Sequence, residues 1–323
     1  MSELVVLVAG SMRIPARRNA GAHGVEQAVT AWARTHLPAH RRSAGSDGVD
    51  TYGSAAAWTF PDARPDLLPL LAEWGVWFFW TDDLLSSGHD LFAHTSDGGL
   101  AFGSHHGRSL PGPEHQCIVD LFEHLRSRTE PVAPPGWVRR FRRSLKDCLA
   151  AFDTERGHRA TGRPPALEEF VALRRRASGM FLHLRFVEFG LDIELPDWVF
   201  ETADLDEVLH CAADIAGWTN DVFSHQREKR AGEVDNIFAV LRGENPDMDE
   251  TTALALVVNA IGARSADLRA AAVAFRNRYE DRLAREGGLS QVRSFLDGIA
   301  DTVAGNLAWT AESPRYRPHH GGG

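Results

Sequence analysis

Apolar residues recur three and four positions apart over long stretches of this chain, and runs that alternate apolar with polar are scarce. That period is the helical one, and it predicts an all-α fold with helices near residues 24–37, 65–87, 114–128, 136–155, 167–190, 205–231, 251–285 and 289–310. Between them, Ser43–Gly53, Asp97–Gly112, Val132–Gly136 and Gly157–Pro165 are polar or rich in Gly, Ser, Asp and Pro, and read as connections. None has the character of an interdomain linker and no fixed-period repeat is present, so residues 1–323 are expected to form one helical domain. The segment Leu205–Gly232 is apolar over much of its length but carries Asp206, Asp214, Asn220, Asp221 and Ser224. If these face inward they need partners, so something hydrophilic is expected beside that helix.

Composition narrows the class further. With 323 residues, 43% hydrophobic and 24% charged, the chain is long enough and apolar enough to bury a sizeable core. Lys plus Arg at 35 against Asp plus Glu at 44 leaves a net charge of −9, which offers no general attraction to nucleic acid or to an anionic membrane. The longest apolar windows, Val5–Gly10 and Val76–Trp80, fall far short of the ~20 residues of a membrane-spanning helix. The opening residues lack a basic stretch followed by a long apolar one, so no signal peptide and a cytoplasmic location are expected. Three cysteines, Cys117, Cys148 and Cys211, have no short spacing and fit reduced core thiols.

Two segments carry candidate chemistry. Trp77-Phe78-Phe79-Trp80-Thr81-Asp82-Asp83 is an aromatic run ending in adjacent carboxylates near a helix C-terminus, where the helix dipole disfavours negative charge and a cation relieves it. Hard oxygen donors of this kind suit magnesium, although an acidic helix end on a solvated face shows the same pattern. In Asn220-Asp221-Val222-Phe223-Ser224-His225-Gln226-Arg227-Glu228, the residues Asn220, Ser224 and Glu228 fall at i, i+4 and i+8. At about 100° per residue they drift only about 80° around the helix and line one stripe about 12 Å long. An amide oxygen, a hydroxyl and a carboxylate on one stripe form a ligand set for a divalent cation, or else a polar helix face. The pairs His105-His106 and His319-His320 have no carboxylate or cysteine at ligand spacing and are read as solvated.

Taken together, the two motifs resemble those of the class I terpene synthases of bacterial type. The likeness runs from Phe60-Pro61-Asp62-Ala63 through Trp74–Asp83 to Trp309, Arg315 and Tyr316. It implies a single-domain helical bundle around a central cavity, with Asp82, Asp83, Asn220, Ser224 and Glu228 holding three Mg²⁺ ions about a prenyl diphosphate. Arg174, 46 residues before Asn220, resembles the arginine that senses diphosphate, and Arg315-Tyr316 resembles the Arg-Tyr pair that bonds it on closure. Residues 312–323 would then close over the site or stay disordered. Arg227 stands where the family often has Lys, and a planar fork is not equivalent to a point charge. Phe78, Phe79, Phe181 and Trp309 are the aromatics expected in the cavity, with Ser178 or Gly179 at the helix break. The other basic residues, Arg139–Arg143, Arg175 and Arg176, read as solvated helix faces.

The sequence departs from the family at two points. Ser86 occupies the third acidic position, with Asp90 the next carboxylate, and Ala177 stands where a polar residue usually links the arginine to the helix break. The resemblance implies a monomeric or homodimeric cyclase acting on farnesyl diphosphate, with geranylgeranyl diphosphate as the alternative. A chain-elongating prenyl transferase would carry a second aspartate-rich motif, whereas Asn220–Glu228 takes that place here. A binding protein that kept the scaffold without turnover is the competitor that Ser86 and Ala177 motivate.

Overall fold

The computed structural model describes residues 2–38, 50–86, 91–94, 100–102 and 113–316. Asp90, the two histidine pairs, the end of the tail from residue 317, and most of the connections at 43–53 and 97–112 lie outside the described residues.

The all-α expectation holds. The helices are α1 (Ser2–Met12), α2 (Ala22–His36), α3 (Asp50–Thr59), α4 (Leu68–Ser86), α5 (Pro113–Thr129), α6 (Pro135–Thr161), α7 (Leu167–Ala177), α8 (Met180–Gly190), α9 (Ala203–Ala231), α10 (Ile237–Glu244), α11 (Glu250–Glu286) and α12 (Leu289–Glu312). A three-residue antiparallel pair, Phe92–His94 with Leu100–Phe102, lies between α4 and α5. One continuous apolar core runs from Val8 to Tyr316, and Cys117, Cys148 and Cys211 are free thiols in or beside it. Among the described residues no helix is long and apolar enough to cross a membrane.

The predicted helix at 167–190 is two helices. Gly179 breaks it at φ +68°, a conformation that a side chain disfavours, and a Cβ there would come within 2.0 Å of the Phe78 ring. The capping chemistry elsewhere follows the sequence closely. Thr202 accepts from the Leu205 amide at the start of α9, Asp249 from Thr252 at the start of α11, and Gly232 and Gly287 end these helices in the left-handed region. Helices α1, α3 and α10 are additions to the periodicity reading. They are short, and α3, with Gly53 and three consecutive alanines, has almost no amphipathic contrast to detect. Its place is fixed by contact instead. At the crossing of α3 and α12 a Cβ on Gly305 would lie 2.0 Å from the Trp58 carbonyl oxygen, so the two backbones touch.

Two arginines expected on solvated faces turn inward. The Arg140 guanidinium forks onto both carboxylate oxygens of the fully buried Glu188 at 2.8 and 2.9 Å, with its other side over the Phe200 ring. Arg175 does the same to buried Asp214, at 2.7 and 2.8 Å, and Arg264 joins it at 3.0 Å. A buried carboxylate without a cation is far less stable than a paired one, and that demand draws the arginines in. Arg176 stays exposed as expected.

Candidate active site

A cavity containing about 780 Å³ of space opens between α4, the break after α7, α9 and α12. Helix α4 presents Phe78, Phe79 and Asp82 to it, while α9 presents Ala216, Gly217 and Asn220. The three tryptophans of the aromatic run and its approach, Trp74, Trp77 and Trp80, point away into the core. Phe79 packs against both Tyr52 and Trp309, with ring centres 5.3 and 5.1 Å away, and those two rings are 6.4 Å apart, so the three form one aromatic cluster at the cavity wall.

The polar end of the cavity is organised by Arg174. Its Nη2 donates to Asn220 Oδ1 at 2.9 Å and to Asp221 Oδ1 at 2.5 Å. Asp221 is fully buried, and burial raises its carboxyl against the lowering pull of Arg174. Its second oxygen accepts from the Ile237 amide at 3.1 Å, which ties α10 to the metal-motif helix α9. Asn236 completes that tie. Its Oδ1 caps α10 at the Phe238 amide, while its Nδ2 donates to Glu228 Oε2 at 2.7 Å and to the Asp221 carbonyl. Ser224 Oγ, almost fully buried, donates to the Asn220 carbonyl at 2.8 Å and keeps its lone pairs for another partner.

The C-terminal segment crosses this end. Arg315 donates to both oxygens of Asp83, at 2.6 and 3.2 Å, and lies 3.5 Å from Asp82, with its guanidinium carbon 5.2 Å from the Phe79 ring centre. The Tyr316 hydroxyl accepts from Asn220 Nδ2 at 2.8 Å. Asn220 therefore joins Arg174 on one side to the C-terminal segment on the other. Asp82 opens onto the cavity, and enclosure pushes its carboxyl up against the pull of Arg315.

Most of the residues singled out from sequence meet here. Phe78, Phe79, Asp82, Arg174, Ser178, Gly179, Asn220, Trp309 and Tyr316 line the cavity, and Asp83, Arg315, Ser224 and Glu228 are bonded to its rim as described. Arg227 stands at the edge, 3.3 Å from Glu228 and half exposed. Phe181 is the exception. It does not line the cavity, and its ring packs on His210 5.8 Å away, because the left-handed residue Gly179 restarts the helix with Met180 and His183 facing in. Ala177, at the place of the missing polar link, is buried against the cavity.

Other residues at the site carried no motif. Glu155 on α6 has its carboxyl pushed up to about 8 by burial, in spite of Arg174, and Glu233 after α9 is pushed up to about 7 by burial and by Glu228. His183 and Asn306 also line the cavity. Of these only His183 left a trace in the sequence, standing one helical turn after Gly179.

A divalent cation fits this donor set. Among the described residues no three His, Cys, Asp or Glu side chains cluster at metal-holding distance, so any ligand set must be mixed. Asp82 and Asn220 face the same cavity from opposite helices, and all the donors are hard oxygens. Arg315 already neutralises Asp83, and Arg174 bonds the Asn220 amide oxygen while pairing with Asp221, so cationic groups already stand at the donors a metal would take over.

The family model for terpene synthase family 2, C-terminal metal binding, matches residues 73–267, which hold both motif helices and the break between them. The chain belongs to the class I terpene synthases. It is 31% identical to a (−)-δ-cadinene synthase of Streptomyces clavuligerus, over 82% of this chain and 81% of that protein. It is 26% identical to a (+)-T-muurolol synthase of Roseiflexus castenholzii whose name specifies farnesyl diphosphate cyclization, over 83% and 81%. In fold it matches 2-methylisoborneol synthase of Streptomyces coelicolor A3(2), solved with Mg²⁺ and 2-fluoroneryl diphosphate, with a TM-score of 0.75 and 22% identity over 95% of this chain and 96% of that one. As a terpene synthase the chain is a lyase that breaks a carbon–oxygen bond to diphosphate.

In this synthase the break at Gly179 sets both the Phe78 ring and the mouth of the cavity. Gly179→Ala is expected to leave the helices intact and to lower turnover by roughly 100-fold, since a displacement of about 1 Å at the reacting centre is worth that much. Far-ultraviolet circular dichroism beside a pyrophosphate-release assay checks it, and unchanged turnover would show that the ring is free to move.

Proposed function

We propose that the protein is a Mg²⁺-dependent cyclase that ionises farnesyl diphosphate and closes the allylic cation to a cyclic sesquiterpene, within a single catalytic domain spanning the chain. The observation that carries this reading is the opposition of Asp82 on α4 and Asn220 on α9 across one aromatic-walled cavity, with Arg174 lining the same cavity and bonded to Asn220. The farnesyl preference draws support from the T-muurolol synthase relative.

Asp82, Asp83, Asn220, Ser224 and Glu228 are the residues that would hold the metal, with three ions expected. Bound Mg²⁺ supplies Lewis-acid stabilisation of the departing diphosphate. Arg174, Arg227, Arg315 and the Tyr316 hydroxyl bind the oxygens on which charge develops, acting as donors fixed before the reaction begins. Phe78, Phe79 and Trp309 face the hydrocarbon, where ring quadrupoles stabilise a cation without attacking it. The C-terminal segment closes the polar end and keeps bulk water from the cation.

The test is incubation of the purified protein with Mg²⁺ and, separately, C10, C15 and C20 prenyl diphosphates, with extracts resolved by gas chromatography and mass spectrometry. A cyclic C15 product with stoichiometric pyrophosphate, lost on chelation, is expected. A cyclic product from the C20 substrate alone would move the reading to a diterpene cyclase. Binding of all three without pyrophosphate release would defeat the cyclase reading.

A further inference from the structure

Three elements bring polar side chains to one corner of the cavity. Thr59 ends α3, His183 lies on α8 and Asn306 on α12, and all three line the cavity wall. The corner is built firmly. The His183 ring stacks on Phe60 with centres 4.8 Å apart, and its backbone amide donates to the Gly179 carbonyl at 2.9 Å. One turn before Asn306, the Thr302 hydroxyl donates to the Thr59 carbonyl at 2.9 Å, which pins α12 to the same corner. Thr59 donates its own hydroxyl proton to the Ala55 carbonyl at 2.8 Å, which leaves its oxygen as an acceptor.

No hydrogen bond joins the His183 ring nitrogens or the Asn306 side-chain amide to another described residue. Both are partly buried and open onto the cavity. Polar groups enclosed in this way require partners, and a polar site offering two to four of them is what holds an ordered water. None of the three belongs to the metal or diphosphate ends of the site.

We propose that His183 and Asn306 hold one water molecule against the hydrocarbon chain and that this water ends the reaction, so that the product is a terpene alcohol. The inference rests on the cyclase reading above. A lone pair of the water oxygen forms the new carbon–oxygen bond to the final carbocation, one O–H bond of that water breaks, and its proton passes to a ring nitrogen of His183. The resulting imidazolium, disfavoured among apolar neighbours, releases the proton to solvent as the product leaves, which returns the ring to its neutral form. Burial pushes the His183 imidazole down to about 4, so at neutral pH the ring is uncharged and able to accept a proton. Stacking on Phe60 fixes the plane in which its nitrogens lie. Asn306 offers both donor and acceptor and orients the water.

The experiment is turnover of farnesyl diphosphate with Mg²⁺ in H₂¹⁸O by the wild type, His183→Phe and Asn306→Leu. Phenylalanine keeps an aromatic ring to stack on Phe60 and removes the ring nitrogens. The wild type is expected to give an ¹⁸O-labelled alcohol as its main product. In both variants the ratio of alcohol to hydrocarbon should fall, by roughly 100-fold for His183→Phe, which is the range for removing a general base. The ratio is read among the products of each variant, so a change in the rate of pyrophosphate release does not enter it, and a merely structural role for the ring would slow release without moving the ratio. Hydrocarbons alone from the wild type, an unchanged alcohol share in both variants, or a covalent terpenyl adduct on His183 would each overturn the assignment. If His183→Phe fails to fold, Asn306→Leu decides by itself. A wild type that releases no pyrophosphate would overturn the cyclase reading together with this one, whereas release with hydrocarbon products overturns this one only.

Discussion

Asn220→Ala is expected to lower pyrophosphate release from the prenyl diphosphate by about 10³-fold or more, a barrier increase of about 4 kcal/mol. Asn220 bridges two halves of the site. Its oxygen accepts from Arg174 and its nitrogen donates to Tyr316, so alanine removes a proposed metal donor and at the same time unfastens the C-terminal segment from α9. Stability should change little by comparison. The amide lies at the edge of the cavity and its partners keep other anchors, Asp221 for Arg174 and the Ser313 carbonyl for the Tyr316 backbone. The measurement is release rate against Mg²⁺ concentration for the wild type, Asn220→Ala and Asn220→Asp. A metal role predicts that the Asn220→Asp variant regains part of the rate and saturates at a different Mg²⁺ concentration. An alanine variant within tenfold of wild type would remove Asn220 from the site.

Arg174→Met is expected to damage stability and activity together. Removing the guanidinium leaves Asp221 as a buried carboxylate, fully enclosed, with only the Ile237 amide to bond among the described residues, and breaking a buried pair from one side costs about 3–5 kcal/mol. In a chain of this size that is a fall in the unfolding midpoint on the order of 10 °C. Turnover should fall as well, because the same guanidinium is the donor best placed for the diphosphate. Two further variants separate the effects. Arg174→Lys keeps a charge near Asp221 and should recover much of the stability, but not the forked geometry on which activity depends. The double variant Arg174→Met with Asp221→Leu replaces the pair by apolar groups, and should unfold near the wild-type midpoint while remaining inactive. Activity restored along with stability in that double variant would make Arg174 a structural residue only.

How much of this was legible in the sequence differs from one residue to the next. Asp82, Asp83, Asn220, Ser224 and Glu228 stand at helical spacings on long helices, and the rigid rise of the helix carries each spacing unchanged into space. Arg174 was legible through the family resemblance, whose spacing to Asn220 it shares, and the structure adds a 2.9 Å hydrogen bond between helices α7 and α9. Phe181 was misplaced because periodicity ran one helix through 167–190, whereas the left-handed turn at Gly179 resets which side chains face inward. Arg140 and Arg175 read as surface charges because nothing local announces the buried Glu188 and Asp214 that they meet, 48 and 39 residues away. Asn236 was silent for a similar reason. Its double role, capping α10 and holding Glu228, exists only once α9 and α10 have packed together.

By itself the sequence determined the helical class, the course of most of the long helices, the family and the oxygen-bearing stripe proposed to hold metal, because each of these is written in local spacing that a helix preserves. The tertiary structure alone decided which aromatics line the cavity, which charges are buried in pairs, and which polar groups face the cavity. Those depend on how helices distant in sequence cross, as at Gly305 on Trp58 and Gly179 on Phe78, and a crossing is fixed by contact between surfaces that no single segment carries.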